Sequence, residues 1–139
     1  MESRVSKALE LHRGNCNCAQ AVLCAYSDLV GLDAEEAYRL AAGLGSGMGG
    51  MEGTCGSLVA ACLLSGLKNS PGPAVRGGTA ASARQSRTMV AAFKETAGAT
   101  KCADIKGAIS GEPLYSCPNC VALAAKLAEQ VVFVGDFKD

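Results

Sequence analysis

The sequence has no tryptophan, only three tyrosines and three phenylalanines, and a single histidine, His12. One imidazole leaves no second for metal ligation, and a Ser-His-Asp or Cys-His catalytic unit would depend wholly on it, which weakens most hydrolase readings. Charge excess is missing too: Lys+Arg and Asp+Glu are both 13, for a formal net charge of zero. Without a long-range field of one sign, neither nucleic acid nor an anionic membrane is expected as a partner. No stretch approaches the ~20 apolar residues of a membrane span. The opening residues MESRVSKALELHRG are charged throughout and contain no signal-like apolar run, so the expectation is a cytoplasmic protein. With 139 residues there is room for one domain, 1–139, and 49% hydrophobic against 19% charged residues is enough to bury a core.

What the chain does contain is sulfur and glycine. Eight cysteines stand at 16, 18, 24, 55, 62, 102, 117 and 120. In a compartment that keeps thiols reduced, such a number points to metal, cluster or redox work before a disulfide framework. From Gly43 to Gly53, six of eleven residues are glycine, a segment able to take positive φ and to approach a ligand with its backbone.

Helix signals run through the rest. Asn17 with Gln20 three residues on forms a capping box for a helix to about Leu29, closed by Gly31. Asp33 starts a second helix, and Thr54 is the expected cap of a third over Cys55 to about Leu67. The Pro71-Gly72-Pro73 cluster is a loop. A longer helix from Thr79 to Ala97 has Ala83, Met89, Val90, Phe93 and Ala97 at helical spacing. A short helix carries Cys102, and the last opens at Ser116-Cys117-Pro118, where proline suits the first turn. The tail VVFVGDF is compatible with more helix or a short strand. The sum is an all-α, compact bundle of about five to six helices, with the glycine-rich loop between the second and third main helices.

Gly45-Ser46-Gly47-Met48-Gly49-Gly50 matches the GxGxxG pattern, but that fingerprint works between a buried strand and a helix, and here it follows a helical pattern with no parallel sheet. Cys117-Pro118-Asn119-Cys120 is more informative. Both sulfurs fall near the positive end of a helix, which favours thiolate, a need shared by disulfide oxidoreductases, zinc sites and iron–sulfur sites. No second CxxC completes a zinc ribbon, and spacing alone leaves the metal and the reaction open.

The residues resemble the redox-active C_GCAxxG_C_C family over nearly the whole chain. Asn17-Cys18-Ala19-Gln20-Ala21-Val22 resembles its opening motif, Ala42 to Gly50 its glycine-rich approach, and Cys55-Gly56 with Gly66-Leu67-Lys68 its central block. Phe93-Lys94-Glu95, Cys102 with Ile105 and Gly107, and Cys117-Pro118 before Val121 are similar to its last two cysteine motifs. The resemblance implies an all-helical redox protein whose motif cysteines Cys18, Cys55, Cys102 and Cys117 gather as ligands of an iron–sulfur cluster, serving electron transfer with a redox partner protein. Ser57 and Ala60 depart from the usual alanine and glycine, and Cys16 and Cys120 stand where aromatic residues are usual.

Two other readings stay open: a thiol–disulfide enzyme using Cys117 as nucleophile with Cys120, and a structural zinc site. Cys16 and Cys120 are expected beside Cys18 and Cys117 as neighbouring thiols and secondary ligand candidates. Cys24 and Cys62 are read as core. Of the two cysteines on the third helix, Cys55 has the better claim as ligand, because it stands at the helix start whereas Cys62 lies about 10 Å further along the axis. Short alanine-rich helices in so small a chain suggest a homodimer as a way to bury more surface.

Overall fold

Asn17 starts its helix as its neighbours dictate. In a computed structural model that describes residues 1–138, its side chain accepts the Gln20 N–H at 2.8 Å, and the Gln20 side-chain oxygen accepts the Asn17 N–H at 2.8 Å, the expected reciprocal box. The helix it opens, α2 (Cys18–Tyr26), is buried at every position but Cys24, the pattern of a helix surrounded on all sides. Around it lie α1 (Val5–Arg13), α3 (Ala34–Leu40), α4 (Gly56–Asn69) and α7 (Cys117–Leu127). The long α5 (Ala80–Ala97) covers α4, and the short α6 (Cys102–Lys106) lies against the glycine segment. These are the seven helices of the described residues, six of at least seven residues, with no strand among them. The all-α expectation holds, and among the described residues no helix is long and apolar enough to cross a membrane.

Small residues let the central helices pack closely, while the bulk of the core sits at the C-terminal end of α2. There Tyr26 stacks on Phe133, with centroids 5.7 Å apart, and Phe137 closes on both edge to face. Glu129, buried beside them, accepts from the Tyr26 hydroxyl at 2.5 Å, the Arg4 N–H at 2.7 Å and Ser3 Oγ at 3.1 Å. One carboxylate thus ties the start of α1, the end of α2 and the end of the chain together, and burial beside it pushes the Tyr26 phenol well up. The tail takes the helical alternative: one wide turn, Ala128–Val132, continues α7 and delivers Phe133 to this cluster.

Three details differ from the sequence reading. The cap of α4 is Cys55 and not Thr54, because Thr54 is held in an isolated antiparallel bridge with Lys101 and the Cys55 N–H is spent on the Thr100 carbonyl at 2.7 Å. Extended backbone therefore persists through Cys55. On α5 only Met89, Phe93 and Ala97 are buried, while Ala83 and Val90 face outward. A stripe at four-residue spacing suffices for a helix docked along one side. Cys24, read as core, is half-buried on the flank of α2, and Cys62 is likewise half-buried on α4.

Candidate functional site

At the opposite end of α2 from the aromatic cluster, four helices begin at or beside a cysteine. Cys18, Cys102 and Cys117 are the first residues of α2, α6 and α7, and Cys55 is the N-cap of α4. The free N–H groups and positive ends of helices favour anionic sulfur there. These four cysteines and Cys120, one turn into α7, line a single cavity of about 270 Å³ together with His12, Asn17 and the exposed Lys106.

The glycine segment forms one wall. Ser46, Gly47 and Met48 follow one another at φ 52°, 57° and 63°, a left-handed turn in which two residues carry side chains. Such backbone costs roughly 1–2 kcal/mol per non-glycine residue, so its surroundings must hold it. They do so through hydrogen bonds from the Met51 N–H to the Ser46 carbonyl, from the Gly53 N–H to the Gly47 carbonyl and from the Cys102 N–H to the Gly53 carbonyl, at 2.8, 3.1 and 2.9 Å. Gly47 must be glycine for a second reason: a Cβ there would stand 2.5 Å from Cys102 Cβ. The turn aims the Ser46 N–H at the Cys18 sulfur.

The thiols are paired across helices. Cys117 donates to Cys18, which also accepts from the Ser46 and Ala19 N–H groups, and these bonds outweigh burial and bring the Cys18 thiol down to about 6. Cys55 is lowered to about 6 as well, first by hydrogen bonding with Cys120 and then by the Ser57 hydroxyl beside it and the Leu58 and Ser57 N–H groups, which together outweigh burial. The donors Cys117 and Cys120 are pushed strongly upward, first by giving their protons to those bonds and then by burial. Cys18 and Cys55 are therefore the most acidic thiols of the cavity. Ser57 Oγ, 3.0 Å from Cys55 Sγ and 3.2 Å from the Cys120 carbonyl oxygen, bridges the second pair. Cys102 is raised, chiefly by burial.

Cys18, Cys55, Cys102 and Cys117 are thus brought together, and Cys120 joins them. Cys16 does not. It stands against Cys24, with which it shares a hydrogen bond, because the chain changes from extended at Asn17 to helical at Cys18 and the two-residue step turns Cys16 onto the outer flank. Cys62 is absent from the cavity lining. The acidic thiol expected at Cys117 is instead its partner Cys18: the helix end is there, but Cys117 spends its proton on a neighbour. His12 was not foreseen. Its Nε2 lies 3.6 Å from Cys117 Sγ, and burial, aided by Lys106, lowers its affinity for a proton. No local spacing signals this contact, since it arises from docking α1 on α7.

Among the described residues no three His, Cys, Asp or Glu side chains are grouped to hold one metal ion. The family model described as "Putative redox-active protein (C_GCAxxG_C_C)" matches residues 16–131. Searches of curated proteins and of solved structures gave no match. The chain belongs to the C_GCAxxG_C_C family.

Proposed function

We propose that this member of a redox family binds an iron–sulfur cluster in the thiol-lined cavity and serves electron transfer to a partner protein. The observation that carries the reading is the convergence of four cysteine-bearing helix starts on one cavity of about 270 Å³. Cys18, Cys55, Cys102 and Cys117 are the residues that would hold the cluster, with Cys120 a fifth thiol on the same wall. Thiolates are the usual ligands of such clusters, and two of these thiols, Cys18 and Cys55, are shifted well below the ordinary thiol value toward the thiolate.

When bound, the cluster supplies one-electron chemistry at a potential set by its hydrogen bonds and charge surroundings. The chain's own contribution is positioning. The Ser46, Ala19, Ser57 and Leu58 N–H groups point at cysteine sulfurs and would lower the electron density on them. Exposed Lys106 adds positive charge at the cavity.

Anaerobic purification tests the reading. Visible absorption with matching iron and acid-labile sulfide is the expected result, together with its loss in Cys18→Ser and Cys55→Ser. A colourless, iron-free protein that resists reconstitution with iron and sulfide would overturn it.

A further inference from the structure

Glu129, at the far end of α2 from the thiol cavity, spends only one of its two carboxylate oxygens. Its Oε2 accepts from the Tyr26 hydroxyl, the Arg4 N–H and Ser3 Oγ at 2.5, 2.7 and 3.1 Å, whereas Oε1 accepts from no group among the described residues. The residue is only 8% exposed, and a carboxylate so placed is costly while an oxygen lacks a donor. Every buried side-chain polar atom of the described residues has a partner, so Oε1 is not sealed in. It opens on a cavity of about 330 Å³, which Glu129 lines together with Val5, Lys126, Gln130, Val134 and Phe137.

Lys126 stands three residues before Glu129, a spacing at which opposite charges on a helix ordinarily pair. Here they do not: among the described residues Lys126 makes no ion pair. Three donors turn Glu129 inward, while Lys126 stays exposed at the rim. Lys138, the other cation at the cavity, is spent on Glu2 at 2.8 Å. What remains is an acceptor at the base, an ammonium at the rim and apolar walls from Val5, Val134 and Phe137. We propose that this cavity binds a free α-amino acid with an aliphatic side chain. Its ammonium donates to Glu129 Oε1, its carboxylate accepts from Lys126, and its side chain covers Val134, which is otherwise 70% exposed. A simple amine would leave Lys126 facing a cation, and a simple carboxylate would meet Glu129; a zwitterion satisfies both ends. The volume lies at the low end of the roughly 300–1,000 Å³ of small-molecule pockets, which suits one amino acid and not a peptide. The walls come from the start of α1, the end of α7 with its wide turn, and the tail, so the ligand joins three segments of the chain.

Leucine is the probe, titrated into isotope-labelled protein and followed by amide NMR shifts and by the unfolding temperature. The expected result is saturable binding with a dissociation constant of ~1 mM or below, shifts centred on Ser3, Gln130 and Gly135, and a rise in unfolding temperature with leucine concentration. 3-Methylbutylamine, which lacks the carboxylate, and 4-methylpentanoate, which lacks the ammonium, should each bind roughly tenfold more weakly or worse. Glu129→Gln should lose leucine binding. Since that variant also touches the packing of Tyr26, Lys126→Met decides independently: its side chain is exposed and bonds nothing among the described residues, so it should keep the fold and bind leucine roughly tenfold more weakly. No saturable shift up to about 10 mM leucine, equal binding of either truncated analogue, unchanged leucine binding in Lys126→Met, or shifts confined to the thiol cavity would each overturn the proposal. It uses no thiol, so it stands or falls apart from the cluster.

Discussion

Gly56 is the first residue of α4, and a Cβ placed on it would overlap the Leu44 carbonyl oxygen and stand 3.0 Å from Cys18 Sγ. The obstructing atom is backbone, so no rotamer change can clear it. Either α4 or the segment before the left-handed turn must shift by roughly 1 Å, a kind of overpacking that typically costs about 1–3 kcal/mol. Alanine returns at most about 1 kcal/mol in helix propensity, and less in the first turn. Gly56→Ala should therefore lose about 1–2 kcal/mol in urea unfolding. The same shift disturbs the Cys18 sulfur and the Ser46 N–H that points at it, so thiolate absorbance at 240 nm and pH 7.5 should drop as well. Gly66→Ala is the control within the same helix, because a Cβ there meets nothing within 4 Å; it should be neutral or stabilising with full thiolate absorbance. If Gly56→Ala matches Gly66→Ala in both measurements, close contact between loop and helix is not what organises the site.

Cys18 and Cys55, lowered to about 6, contribute stability that is present above their ordinary value near 9 and is lost as pH falls through about 6. Their raised partners favour the thiol and oppose stability above about 9, where the unfolded chain ionises freely. The urea midpoint of the metal-free protein should thus rise from pH 6 to 8.5, a dependence absent from the Cys18→Ala, Cys55→Ala double variant; a flat wild-type profile would refute the pairing. Tyr26→Phe removes one of three donors to buried Glu129 and should cost about 1–2 kcal/mol, read by thermal unfolding, with thiolate absorbance at the far end of α2 unchanged. Cys62→Ala, away from the cavity, should cost about 1 kcal/mol and leave iron content intact, whereas Cys55→Ser should lose iron at equal folded fraction.

What could be read from the sequence is what neighbours in the chain decide. The Asn17–Gln20 box, the Asp33 cap and the Ser116 cap all follow from side chains reaching backbone within three residues, and each is present. The candidate ligands could be singled out because the resemblance names them and the capping signals place Cys18, Cys55 and Cys117 at helix starts, which are where this fold converges. What could not be read depends on distant partners. Thr54 is a good cap by composition, but Lys101 claims its backbone. Cys16 is two residues from Cys18 and still faces Cys24, since a change of backbone conformation intervenes. Which cysteine becomes the thiolate is the least local of all: helix-end chemistry favours Cys117 and Cys18 alike, and the choice falls to whichever receives more N–H groups. Cys18 has Ser46 and Ala19, so Cys117 keeps its proton.

That choice gives the glycine segment its meaning. Burial alone would raise every thiol in the cavity, as it does Cys102. Making two of these thiols more acidic requires donors that do not reorganise, and side chains long enough to reach would fill the space. Backbone N–H groups meet the need only where the chain bends tightly past the sulfur, which is what the turn at Ser46, Gly47 and Met48 does at the cost of left-handed backbone in two residues with side chains. On the other flank Ser57 and the first turn of α4 perform the same service for Cys55 without strain, because a helix start already presents free N–H groups. The Cys18 side of the cavity is therefore the one whose anion depends on the glycine segment, and the one where relaxing that turn would return the proton first.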